Sequence, residues 1–237
     1  MSLSKIPCIL AATIGLHISS TSPNPPQLFS EQTVAPTRVE FLLASYPLRL
    51  SLRCVYWTVA IAEIVVVIVQ VTSPPIWGER ILEMLAFGGD PTKVDLLATP
   101  RLVIGSCLIT CGAVVRLQCY HALGEHFTFE TGIFKNHKLV TTGPYSVVRH
   151  PSYSGAWLAY AGLMLYFTTS GSWVMECAIK GSWAGTLFAG LYALLMFFVL
   201  IGLTMRISKE DEALKNEFGK EWEDWAAGRF AVLPFVF

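Results

Sequence analysis

The chain is 237 residues long, 53% hydrophobic and only 14% charged, with a mean hydropathy of +0.52. A soluble domain carries about a quarter charged residues, so this composition excludes most soluble enzyme classes; it also excludes disorder, which needs low hydrophobicity and high net charge. Lysine plus arginine and aspartate plus glutamate both total 17, without the basic excess of a nucleic-acid-binding protein.

What remains is an all-α polytopic membrane protein. A bilayer core of about 30 Å needs about 20 mostly apolar residues per helix. In chain order, residues 3–20, 54–71, 102–123, 151–169 and 182–205 meet that demand, which gives about five transmembrane helices. The first reads as a retained helix, because no soluble ectodomain follows it. A cleavable signal peptide is the alternative, given Lys5, a short apolar run and Ser19-Ser20. Residues 21–38, with Pro23, Pro25, Pro26 and Pro36, read as a linker. Residues 72–100, opened by Pro74-Pro75, form the longest luminal connection, with a short surface helix expected around 79–87. The chain divides at about residue 100. Residues 1–100 hold the N-terminal spans and luminal connection, and residues 101–237 hold the chemistry.

Orientation follows from lysine and arginine in the connections. With the N-terminus outside, the cytosolic side holds Arg38, Arg49, Arg53, Arg116, Lys135, Lys138, Arg149, Arg206, Lys209, Lys215, Lys220 and Arg229. The other side holds only Lys5, Arg80, Lys93, Arg101 and Lys180. From Ile207, the apolar positions Leu214, Phe218, Trp222 and Trp225 recur at helical spacing opposite Glu210, Lys215, Glu217, Lys220 and Glu221. That pattern predicts a cytosolic amphipathic C-terminal helix lying on the membrane surface. The six cysteines form no CxxC and no Cys/His metal spacing; Cys107 and Cys111 read as small apolar packing.

The residues that carry chemistry lie between spans three and four and after span five. His137-Lys-Leu-Val140 is followed by Thr142-Gly-Pro-Tyr145, then Arg149-His-Pro-Ser-Tyr153 and Gly155. Gly143-Pro144 sets a tight turn. Pro151 suits the first position of a helix, where a missing N–H costs nothing. The positive end of that helix, crowded by Arg149, His150 and Tyr153, suits a carboxylate; an ordinary interfacial belt is the plainer reading of the same residue types. Arg206 and Glu210 lie i,i+4 at the cytosolic end of span five. With Arg preceding Glu, the intrahelical pair has its weaker orientation, so a ligand contact competes with a mutual salt bridge. A hairpin of spans four and five would bring them beside His150 and Tyr153, at a site suited to a substrate with a greasy tail and a polar head.

The run H-K-L-V-T-T-G-P-Y-S-V-V-R-H-P-S-Y, then R-x-x-x-E, then F-G-K-E-W resembles isoprenylcysteine carboxyl methyltransferase in order and spacing over residues 116–234. The resemblance implies methyl transfer from S-adenosyl-L-methionine to the C-terminal carboxylate of a prenylated cysteine, in the endoplasmic reticulum membrane. It implies that His137, Lys138, Leu139, Val140, Tyr145, His150, Pro151, Ser152 and Tyr153 line the cofactor pocket. Arg206 would take the substrate carboxylate and Glu210 the cofactor. Where animal members carry a glutamine seven residues before the first histidine, this chain has Glu130, a carboxylate able to bind adenosine hydroxyls or an amino group.

The chemistry fits such residues. A chain-end carboxylate has a pKa of about 3.5 and is already ionised at pH 7, so displacement needs no general base. Catalysis then rests on alignment, to which orientation can contribute about 7–11 kcal/mol. Arg206 and Arg149 are the expected catalytic residues, as bidentate orienters. No Ser-His-Asp triad and no metal are expected, and the partners are prenylated C-terminal cysteines and membrane lipid. The nearest rival is a phospholipid or small-amine N-methyltransferase, whose ammonium nucleophile must first lose a proton to a base such as His150 or Glu210. A sterol-type reductase would need a longer chain with more spans, and a transporter would place its charges at the bilayer midplane. Two further features stand apart. Glu63 lies mid-span, where a charge is costly and functional by default unless one helix turn of tilt or a partner such as Gln118 satisfies it. Arg116 and His121 are expected to snorkel to the interface.

Overall fold

The structure, a computed structural model, describes residues 3–25, 45–72, 77–86, 96–129 and 138–232. Seven α-helices are described: α1 (Lys5–Ser19), α2 (Tyr46–Thr72), α3 (Trp77–Leu85), α4 (Pro100–Leu123), α5 (Pro151–Phe167), α6 (Trp183–Phe218) and α7 (Lys220–Ala226). Among the described residues, three helical stretches are long and apolar enough to cross a membrane: Tyr46–Thr72, Pro100–His126 and Trp183–Phe218. The other two expected spans form shorter helices, 15 residues in α1 and 17 in α5. Among the described residues there is no β-strand, only one isolated parallel bridge between Val148 and Phe230. The expected surface helix appears as α3. Most of the expected linker, residues 26–38, lies outside the described residues.

The helix starts follow local chemistry. Thr99 accepts from the Leu102 amide at 3.3 Å and Ser182 from the Gly185 amide at 3.0 Å, which satisfies otherwise unpaired donors at the starts of α4 and α6. Pro100 and Pro151 occupy first helical positions. At the far end of α6, Gly219 takes a φ of 54°, a conformation that costs glycine little. It ends the 36-residue helix and starts α7. The single amphipathic helix expected beyond span five is therefore two helices.

Contacts group the chain into two units. Unit 1 comprises Met1–His17, Arg53–Cys111 and Leu158–Phe197. Its core gathers Ala62, Val66, Val67, Ala86, Leu96, Trp173, Val174 and Cys177. Here the backbones of α4 and α5 approach closely. A Cβ on Gly162 would lie 2.6 Å from the Gly105 carbonyl, and one on Gly105 would lie 2.9 Å from the Gly162 carbonyl. Such small-residue contact is how helices associate where apolar surface alone gives no preference between lipid and protein. Within the same unit, Lys5 and Glu63 are buried and form an ion pair. Lys5 also donates to the Gly171 carbonyl, and the Tyr166 hydroxyl donates to Glu63 at 3.3 Å. Two expectations are thereby corrected. Lys5, counted among the charges of the outer side, is buried against Glu63, and Glu63 is satisfied by Lys5 and Tyr166, while Gln118 is exposed.

Unit 2 comprises Ile18–Leu52, Gly112–Trp157 and Phe198–Phe237. One of its clusters holds Cys119, Tyr120, Phe127, Tyr145, Trp222 and Trp225; another holds Tyr153, Ile207, Ala231 and Val232. A Cβ on Gly155 would lie 2.7 Å from the Gly112 carbonyl and 2.8 Å from Arg116 Cγ. This unit contains the expected chemistry.

Candidate active site

Pro151 starts α5 and leaves His150 just outside it, where backbone pairing fixes the approach. The Arg149 amide donates to the Phe230 carbonyl at 2.9 Å and the His150 amide to the Ala231 carbonyl at 2.8 Å. Ser154 in the first turn donates through its hydroxyl to the Val232 carbonyl. The tail beyond α7 thus straps the start of α5, a contact for which the sequence carries no side-chain signature.

Helix α6 brings its polar end, beyond the apolar stretch that closes at Met205, to the same place. The Glu210 carboxylate accepts from Tyr153 at 2.5 Å and from Arg206 Nη2 at 2.9 Å, and it lies 3.4 Å from His150 Nδ1. On the other edge of the imidazole, Nε2 lies 2.9 Å from Asp211 Oδ1, and Arg149 reaches Asp211 Oδ2 at 3.0 Å. Arg206 Nη1 donates to the Phe129 carbonyl at 2.7 Å. The His150 ring stacks on Tyr153 at 5.6 Å and 14°.

Electrostatics follow from this geometry. Burial opposes charge on His150, but hydrogen bonds to Asp211 and Glu210 outweigh it and hold its pKa up at about 9. Only an imidazolium can donate from both nitrogens at once. Burial pushes Glu210 upward, but Arg206, His150 and Tyr153 overcome it and hold the carboxyl at about 2. Tyr145 is raised well above 10 by burial and by Cys119, Glu210 and Tyr153, so it stays a protonated phenol.

Five of the expected residues therefore converge: Arg149, His150, Tyr153, Arg206 and Glu210. The Arg206–Glu210 salt bridge forms despite its weaker orientation. Tyr145 belongs to a neighbouring aromatic cluster with Trp222 and Trp225, against which Leu139 and Val140 pack. Pro151 is buried, Lys138 exposed. Ser152 accepts from Arg116 through its carbonyl and its hydroxyl, each at 3.1 Å. Glu130 and His137 lie outside the described residues.

Arg116 corrects an expectation. It is buried, donates to the Tyr120 hydroxyl at 3.2 Å and lies 5.3 Å from the Phe129 ring centre, so it braces α5 and does not snorkel. Asp211 was not foreseen; its only signal was the Glu-Asp doublet. Nor were the buried donors foreseen. Among the described residues, Arg149 Nε and the indole N–H groups of Trp222 and Trp225 have no acceptor.

A helical chain with three membrane-length helices among its described residues, in which buried Arg206, His150 and Tyr153 surround a half-buried Glu210, belongs among membrane-embedded proteins with a polar site at a helix end. Residues 100–221 match the phospholipid methyltransferase family, just over half of the chain, and the protein belongs to that family. It is 33% identical over 135 residues to probable protein-S-isoprenylcysteine O-methyltransferases of Oryza sativa subsp. indica and subsp. japonica. The matched region is 56% of this chain and 61% of each rice protein. It is 30% identical over 136 residues to protein-S-isoprenylcysteine O-methyltransferase B of Arabidopsis thaliana, covering 56% and 58% of the two chains. The chain thus spans about three fifths of the length of these curated relatives. No solved structure matches it significantly.

Proposed function

We propose that this protein transfers a methyl group from S-adenosyl-L-methionine to the C-terminal carboxylate of a prenylated cysteine, forming a methyl ester at the cytosolic face of the endoplasmic reticulum membrane. The observation that carries the reading is the convergence of Arg206 and Glu210 with His150 and Tyr153, on the motif series that resembles this activity and in a chain whose relatives bear its name. In this reading α1 and α5 join the three longer helices as spans, and α7 lies on the cytosolic side.

The residues fit the cofactor. Buried donors without acceptors, on Arg149, Trp222 and Trp225, suit a ligand rich in acceptors, since such groups are otherwise nearly always satisfied. Glu210 stays ionised at every physiological pH and suits the cofactor's ammonium. Leu139, Val140 and Tyr145 supply an apolar wall; His150, Pro151, Ser152, Tyr153, Lys138, Glu130 and His137 complete the proposed cofactor-binding set. When bound, S-adenosyl-L-methionine supplies a sulfonium methyl for direct displacement by a carboxylate oxygen, leaving a neutral thioether. Arg206 orients that carboxylate; its fork is pre-aimed by Phe129 and Glu210. Arg149, anchored by Asp211, is its partner in catalysis.

The amine-methylating alternative needs a base. His150, held as an imidazolium by two carboxylates, and Glu210, held at about 2, are both poor proton acceptors near pH 7.

The test is methyl transfer in isolated membranes, with methyl-labelled cofactor and a farnesylated cysteine analogue. Label released by base as volatile methanol supports the ester. Label that enters lipid and survives base means N-methylation and overturns the proposal.

A further inference from the structure

We infer that Trp222 and Trp225 donate their indole N–H groups to ring nitrogens of the cofactor's adenine, making α7 a base-recognition element. The inference rests on the cofactor proposed above. Both side chains are 8% exposed. A buried tryptophan ordinarily finds an acceptor for its N–H, yet among the described residues neither has one. Two such donors on one turn of one short helix point to an acceptor supplied from outside the chain.

The surroundings define that acceptor. Tyr145, Leu139, Val140, Phe218 and Leu214 belong to the same cluster, so one wall of the neighbourhood is apolar and suits a partner with an uncharged body. The Arg149 guanidinium lies 6.0 Å from the Trp222 ring centre and the Arg229 guanidinium 5.4 Å from that of Trp225. Arg229 is pinned there by the Ser146 and Trp225 carbonyls. Cations therefore engage the two ring systems while the N–H edges stay unpaired. A prenyl chain has no acceptor to offer. A flat, neutral heteroaromatic with edge acceptors does, and adenine presents N7 and N3 in this way.

The test uses the purified full chain in lipid nanodiscs, titrated with S-adenosylhomocysteine by calorimetry and followed by thermal melting. Replacing the indole of Trp222 or of Trp225 by its sulfur isostere, benzothiophene, keeps the fused ring and deletes only the donor. Each should weaken binding about tenfold, equivalent to about 1.4 kcal/mol, while melting of the ligand-free protein stays unchanged or rises, since an unpaired donor has been removed. Trp183→Phe, at an 81% exposed position, should bind as the unaltered chain does. On the unaltered chain, replacing adenine N7 or N3 by C–H should cost a similar factor, and that loss should vanish in the matching benzothiophene variant.

Unchanged affinity in both variants overturns the indole contacts and leaves the methyl-transfer reading standing. Ligand-free melting that falls in both variants overturns the inference too, because the indoles would then be structural. An unaltered chain that binds no S-adenosylhomocysteine overturns both readings.

Discussion

Raising the pH from 6.5 to 9.5 should destabilise this protein through one residue, His150. In the folded chain its pKa is about 9, and its ordinary value is 6.5. A raised folded pKa means that the stabilisation is fully present below about pH 6.5 and is lost as pH climbs through 9. At about 1.36 kcal/mol per pH unit, that interval is worth about 3 kcal/mol. For a chain of this size about 2–4 °C of melting temperature accompanies each kcal/mol, so a fall of about 6–12 °C is expected. Tyrosines, cysteines and lysines titrate in the same range, so the assay compares the pH profile of the unaltered chain with that of His150→Gln. The variant should melt lower at pH 6.5 and show a flatter profile up to pH 9.5. The imidazole carbon shifts in ¹³C-histidine-labelled protein should place the midpoint near 9. Parallel profiles, or a midpoint near 6.5, would refute the bridging of Glu210 and Asp211 by His150.

Further outcomes follow from other contacts. Arg206→Lys keeps the charge but loses the fork that holds Phe129 and Glu210; turnover should fall about 10- to 100-fold, as expected when a charge-assisted hydrogen bond is removed, with the fold retained by circular dichroism. Glu63→Gln leaves buried Lys5 without its counter-charge and should destabilise by about 3–5 kcal/mol; the double variant Lys5→Met/Glu63→Leu should recover much of the lost melting temperature. Gly155→Ala puts a methyl 2.7 Å from the Gly112 carbonyl and should cost about 1–3 kcal/mol by thermal melting. Truncation after Gly228 removes the carbonyl partners of the Arg149 and His150 amides and should speed hydrogen exchange at both.

Much of this was legible in the residues. Long apolar runs gave α2, α4 and α6, Pro151 marked the start of α5, and helical spacing put Arg206 and Glu210 on one face. What escaped has physical reasons. The glycines of α4 and α5 lie seven apart in each helix, Gly105 with Gly112 and Gly155 with Gly162; a hydropathy reading is blind to side chains that matter by their absence. Lys5 and Glu63 are 58 positions apart, and nothing local couples them. The tail that straps α5 acts through backbone carbonyls, which every residue possesses. Helical spacing turns Trp222 and Trp225 to the membrane as part of an apolar face, but Gly219 breaks the helix before them and they pack into the protein's own core.

Asp211 is the omission with chemical weight. It follows Glu210 directly, so on a helix it points about 100° away, off the face shared by Arg206 and Glu210. It joins the site because imidazole presents its two nitrogens on different edges, and His150 spans that angle. One carboxylate would leave the ring free to shed its second proton. With one on each edge, the charged ring is the form that serves both, which holds its pKa up. The same arrangement leaves Glu210 gripped by Arg206, Tyr153 and His150. The cluster is therefore built to hold charges in fixed places, and neither member is poised to take a proton near neutrality. A nucleophile that arrives already ionised asks nothing more of such a cluster; one that arrives as an ammonium would find neither His150 nor Glu210 ready to take its proton. That asymmetry, invisible until Asp211 is placed, weighs toward a carboxylate as the methyl acceptor.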